Sequence, residues 1–146
     1  GYRDQYKALV KNHIALVESD SGNGRIKGFT LDTPGRAPRR RGENPYSDGG
    51  SITDAALLGR FQALSRFQAT SGATIFSLGG SGADVSPMVE AGAVGIGASH
   101  DQARYFDVHH TEADTFDKII KVDLQHNVGS VAILAYTLSF SSTRLQ

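Results

Sequence analysis

The chain has 146 residues, 15 basic against 15 acidic side chains and no cysteine, which makes it one domain's worth of protein with zero formal charge. No disulfide or thiolate metal site is available to it, and without a net field it has no general attraction to nucleic acid, so no nucleic-acid partner is expected. Hydrophobic residues make up 39% and charged residues 21% of the chain, an ordinary globular balance, and no apolar run approaches the ~20 residues of a membrane span.

Residues 2–10 read as the end of a helix with Tyr6, Leu9 and Val10 as its apolar positions. Ile14-Ala15-Leu16-Val17 is a short apolar run of the buried-strand type, and Gly22, Gly24 and Gly28 then loosen the backbone. Residues 33–51, rich in Pro, Gly and Arg and carrying Arg39-Arg40-Arg41, have no periodicity and read as an exposed, solvated loop.

From Thr53 to Gln68, Leu57, Phe61, Leu64 and Phe67 recur at helical spacing and predict an amphipathic helix. Thr74 to Leu78 predicts a strand, closed by Gly79-Gly80-Ser81-Gly82. Asp84 to Ala91 predicts a short helix with Asp84 or Ser86 as cap and Pro87 in the first turn. Two further strands are predicted at Val94–Gly97 and Arg104–Val108. Asp123 is expected to cap a long helix whose apolar face is Leu124, Val128, Val131, Ala135 and Leu138. Strands alternating with helices give an α/β fold, a mainly parallel mixed sheet flanked by helices.

Two segments can carry chemistry. Asp20 stands just past an apolar strand, where open α/β sheets place ligand groups, although the same residue also suits an Asx turn opening Ser21-Gly22-Asn23-Gly24. His109-His110 follows the predicted strand ending at Val108. Imidazole is a common zinc ligand, and Thr111, Asp114 and Thr115 can orient it. Strand side chains alternate, so only one of the pair faces a given site, and His109 is assigned to packing or to supporting the ligand from behind.

Glu18-Ser19-Asp20-Ser21-Gly22, Gly82-Ala83-Asp84 with Met88-Val89-Glu90-Ala91-Gly92, and His110 to Thr115 occur in an order that resembles the C-terminal half of the dizinc aminopeptidase and carboxypeptidase family. Tyr2-Arg3-Asp4 also looks like the family sequence just downstream of its catalytic Glu pair, and residues 33–51 look like an insertion. Val85 follows Asp84 where many aminopeptidases carry His, which favours the plasma glutamate carboxypeptidase branch.

The resemblance spans residues 1–146 and implies a zinc exopeptidase-like domain, incomplete at its N-terminus, from a parent enzyme that hydrolyses dipeptides or short peptides. It implies Asp20 as ligand to one of two zinc ions and His110 as ligand to the other, with Gly82 and Asp84 as substrate contacts. The family's remaining ligands and its catalytic Glu precede Gly1 in that alignment, so the chain alone holds no catalytic residue and is expected to bind zinc weakly. Secretion or a periplasmic location follows from the family. A sheet short of strands leaves open edges, so homo-oligomeric association or swapping is expected. The rival reading is a non-catalytic binding domain that kept the peptidase fold.

Overall fold

The computed structural model describes residues 1–22, 24–35, 52–140 and 145. Most of the predicted insertion, including Arg39-Arg40-Arg41, therefore lies outside the described residues.

Four strands form one mixed sheet in the order β1-β4-β2-β3. They are β1 (Leu16–Glu18), β2 (Ile26–Asp32), β3 (Ile75–Leu78) and β4 (Gly95–His100). β1 runs parallel to β4 and β2 parallel to β3, while the central β2–β4 pair is antiparallel. The α/β mixed sheet flanked by helices thus agrees with the expectation. β2 does not: the Gly-containing stretch after Asp20 was read as loosened backbone, yet it is the longest strand of the sheet. Its signal is the alternation of buried Phe29 and Leu31 with half-buried Thr30 and Asp32. Gly28 interrupts that signal for a packing reason, since a Cβ there would lie 1.8 Å from the Ile75 carbonyl oxygen.

One face of the sheet builds the core. Phe29 and Leu31 of β2, Phe76 of β3 and Ile96 of β4 are buried against Phe61, Leu134 and Leu138. Phe76 is the aromatic centre, its ring 4.6 Å from that of Phe61 and 5.5 Å from that of Phe29. Phe61 belongs to α2 (Ile52–Gln62), which tightens into a 3₁₀ segment over Ala63–Gln68. Of the expected stripe, Leu57 and Leu64 pack against the core, whereas Phe67 is exposed beneath the Arg66 guanidinium. At the start of the chain, α1 (Tyr2–Tyr6) and a 3₁₀ segment over Lys7–Asn12 occupy the expected helical stretch.

The long C-terminal helix is α5 (Lys121–Phe140). Asp123 is not its cap, because Lys121 and Val122 are already helical; it sits in the first turn and pairs with Arg25 at 2.6 Å. The inward face also differs from the expected one. Asn127, Ser130, Leu134 and Leu138 are buried, while Leu124 and Val128 face outward. The side chains of the two polar inward residues are satisfied by backbone groups: the Asn127 amide oxygen accepts the Ile26 N–H, and the Ser130 hydroxyl donates to the His126 carbonyl. The predicted strand at Arg104–Val108 is instead a helical turn, α4 (Tyr105–Val108), closed by the His109 N–H on the Tyr105 carbonyl. No described helix is long and apolar enough to cross a membrane.

Candidate functional site

The second sheet face has an unusual cover. After β3 the chain turns at Gly79 and crosses back over β2 and β4 to reach β1. Thr30 donates to the Gly80 carbonyl at 2.8 Å, and the Asp32 carboxylate accepts from the Ser81 amide and hydroxyl at 3.1 and 2.9 Å. On β1, one Glu18 carboxylate oxygen accepts the Asp84 and Val85 amides at 2.9 and 3.0 Å. Carboxylates from two strands therefore hold the segment at both ends.

Glycines on β4 make room for it. A Cβ on Gly97 would meet the Gly80 carbonyl at 2.7 Å, and one on Gly95 would meet the Ser81 hydroxyl at 2.4 Å. The segment then runs into α3 (Ser86–Glu90), whose first turn holds Pro87 as expected. No side chain caps α3, so neither Asp84 nor Ser86 does what its sequence position suggested.

Beside this crossing lies a groove of about 320 Å³ whose lining includes Glu18, Asp20, Gly80 to Gly82, Gly97 and Ser99. Asp20 also borders a second cavity of about 200 Å³, shared with Tyr105, His109, His110 and Asp114. Two residues far apart in sequence, Asp20 and His110, thus come to one cavity. Gly82 stands with Asp20 at the groove. Asp84 does not: it lines a separate, more apolar cavity with Tyr2, Pro87 and Met88.

The His109-His110 pair departs from strand geometry. His110 has φ +58, a left-handed conformation that costs a residue with a side chain about 1–2 kcal/mol. Instead of pointing to opposite faces, the two rings stack at 3.7 Å, and His109 stacks in turn on Tyr105 at 4.3 Å. His109 therefore packs, as its assignment to packing requires, but it does so while lining the same cavity as His110. The turn behind the pair is held by Thr111, whose hydroxyl donates to the Val108 carbonyl at 2.7 Å and accepts the Ala113 amide at 3.2 Å.

No family model, curated protein or solved structure matches this chain. The chemistry of the site rests on its own residues. A carboxylate and an imidazole suit zinc, cobalt or manganese, so the donor types fit a zinc site as a partial set. Among the described residues no three His, Asp or Glu side chains are grouped to hold a metal ion.

Sequence reasoning missed His100. It is the last residue of β4, only 7% exposed, and hydrogen-bonded through both ring nitrogens. The run read as a strand ended at Gly97, because Ala98-Ser99-His100 is less apolar, and the imidazole was left outside it. Asp101, next in the chain, has its carboxyl held below the usual carboxylate value by the Ala103 amide and then by Lys27.

Proposed function

We propose that this chain contributes one ligand to each of two zinc ions, Asp20 to one and His110 to the other, in the centre of an exopeptidase acting on dipeptides or short peptides. The meeting of Asp20 and His110 at one cavity carries this reading. In this proposal the other ligands and the general-base carboxylate come from outside these 146 residues. Zinc bound there would polarise a peptide carbonyl and lower the pKa of a bound water.

The chain's own residues do the holding. The strained turn at His110 and its stack on His109 set the imidazole's direction, a pre-organisation that metal ligands commonly require. Glu18 fixes the Gly80 to Gly82 wall of the groove through the two amides it accepts. That groove adjoins Asp20 and suits a short peptide lying in extended form, with Gly82 as a backbone contact. Because Asp84 lines a different cavity, its role in this reading is limited to the backbone amide that anchors the wall. The rival, a non-catalytic binding domain, draws on the lack of a third grouped ligand among the described residues.

Calorimetric zinc titration of the chain and its Asp20→Ala and His110→Ala variants tests the proposal. Weak binding that falls in each variant is expected. Zinc binding that neither substitution changes would overturn it.

A further inference from the structure

Asp20 lies on the loop that leaves β1 at Glu18 and enters β2 at Ile26. The buried His100 ring spans the two ends of that loop. Its Nδ1 lies 2.9 Å from the Gly24 carbonyl oxygen and its Nε2 lies 2.9 Å from the Ser19 hydroxyl. A carbonyl oxygen only accepts, so Nδ1 carries a proton and donates. In the neutral ring Nε2 is then an acceptor, and the Ser19 hydroxyl donates to it. One imidazole thus joins Ser19, the first residue of the loop, to Gly24, its last but one.

The Gly24 end is itself anchored. Its carbonyl accepts a second bond, from the Asn127 amide of α5 at 2.9 Å, and Asn127 also accepts the Ile26 N–H at 2.8 Å. There is no space for a side chain at Gly24, since a Cβ would lie 2.1 Å from the Asp101 carbonyl oxygen. The anchor thus runs from α5 and β4 through His100 to Ser19, the residue beside Asp20. Asp20 is exposed and borders both cavities, so its direction depends on how the loop's ends are held.

We propose that His100, acting through Ser19 and Gly24, is the positioning residue for Asp20 and sets the metal affinity of the site. This rests on the reading of Asp20 as a metal ligand. Outer partners that orient ligands typically alter metal affinity about 10–100-fold when removed.

The test uses the full chain with Ser19→Ala, Ser19→Thr and His100→Phe, alongside Asp20→Ala. Two readouts are needed: amide hydrogen exchange in the metal-free chain, and the zinc dissociation constant by calorimetry. Ser19→Ala and His100→Phe are expected to speed exchange of amides in residues 19–24 roughly tenfold or more, leaving Leu134 and Leu138 of α5 unchanged. Zinc binding should weaken by roughly 10–100-fold in both, and Ser19→Thr, which keeps the hydroxyl, should restore both readouts.

If loop exchange is unchanged in Ser19→Ala and His100→Phe, the ring does not hold the loop and the proposal falls. If exchange rises and zinc affinity stays, while Asp20→Ala weakens zinc, Asp20 is a ligand that needs no such support; only the positioning role is then lost. If Asp20→Ala itself leaves zinc affinity unchanged, the ligand reading fails and takes this one with it.

Discussion

Glu18 and Gly82 form a pair whose coupling can be worked out from the geometry. The Glu18 carboxylate accepts the Asp84 and Val85 amides, while Gly82 sits at φ +115 with its would-be Cβ 2.1 Å from the Glu18 carboxyl carbon. Hydrogen bonds to a charged group are worth about 1.5–3 kcal/mol each, and the amide of Asp84 is open to water, so Glu18→Ala should cost about 2–3 kcal/mol in all. Gly82→Ala meets two penalties. Its backbone conformation strains any side chain by about 1–3 kcal/mol, and the new methyl displaces the carboxylate and with it the same two bonds. The expected loss is therefore about 3–6 kcal/mol.

In the double variant the carboxylate is already gone, so its bonds are counted once and the steric conflict vanishes. Its stability should match that of Gly82→Ala alone, a coupling of about 2–3 kcal/mol. Urea unfolding monitored by circular dichroism, extrapolated linearly for all four proteins, measures it. Additivity within about 0.5 kcal/mol would show that the two positions do not share the bonds assigned to them and would refute the reasoning.

Two further predictions concern the surface. The Asp117 carboxyl is held at about 2, below its ordinary 3.8, first by Lys118 and then by the Thr115 hydroxyl. Because the folded value is depressed, its stabilising contribution is complete above 3.8 and is lost as pH falls toward 2. Lys118→Ala should move the carboxyl's NMR titration midpoint upward, and an unmoved midpoint would contradict the assignment. The outward side of α5 displays Leu124, Val128, Tyr136 and Phe140, and no charged residue occurs between Leu124 and Phe140. An exposed apolar row of this kind favours contact with another surface, so the chain should associate with rising concentration in light scattering, and Val128→Glu should reduce this. A wild-type chain that stays monomeric across that range would contradict the prediction.

The legible parts of this fold were those where burial and local pattern coincide. β3, α2 and the first half of β4 are apolar runs or stripes whose side chains meet the core, whereas β1 forms where an apolar run was read although Ile14 and Val17 of that run are exposed and only Ala15 packs against the core. β2 was hidden because Gly28 serves a contact with Ile75 that is remote in sequence. Tyr105 to Val108 is a short, mostly apolar run, and at four residues such a run cannot be told from a helical turn. On α5 the buried Asn127 and Ser130 read as surface residues until the backbone partners of their side chains are known.

The site divides the same way. Asp20 and His110 were marked by motif, and the cavity they share follows from strand and turn placement. The separation of Gly82 from Asp84 was not legible, since it depends on how the segment after β3 crosses the sheet. Nor was His100, whose significance lies in two bonds to residues far back in the chain.

The crossing over Gly95 and Gly97 has a consequence for how the groove beside it can change. Gly80, Gly82 and Gly97 border the groove with main chain alone, so this part of its outline has no rotamers to rearrange. The side chains that line the rest of it include those of Glu18, Asp20, Ser99, His100 and Gln102. If the groove takes a peptide as proposed, substitutions at Ser99 or Gln102 should change which side chains fit while the backbone border stays in place. A side chain at Gly97 would instead press on the Gly80 carbonyl and shift that border itself.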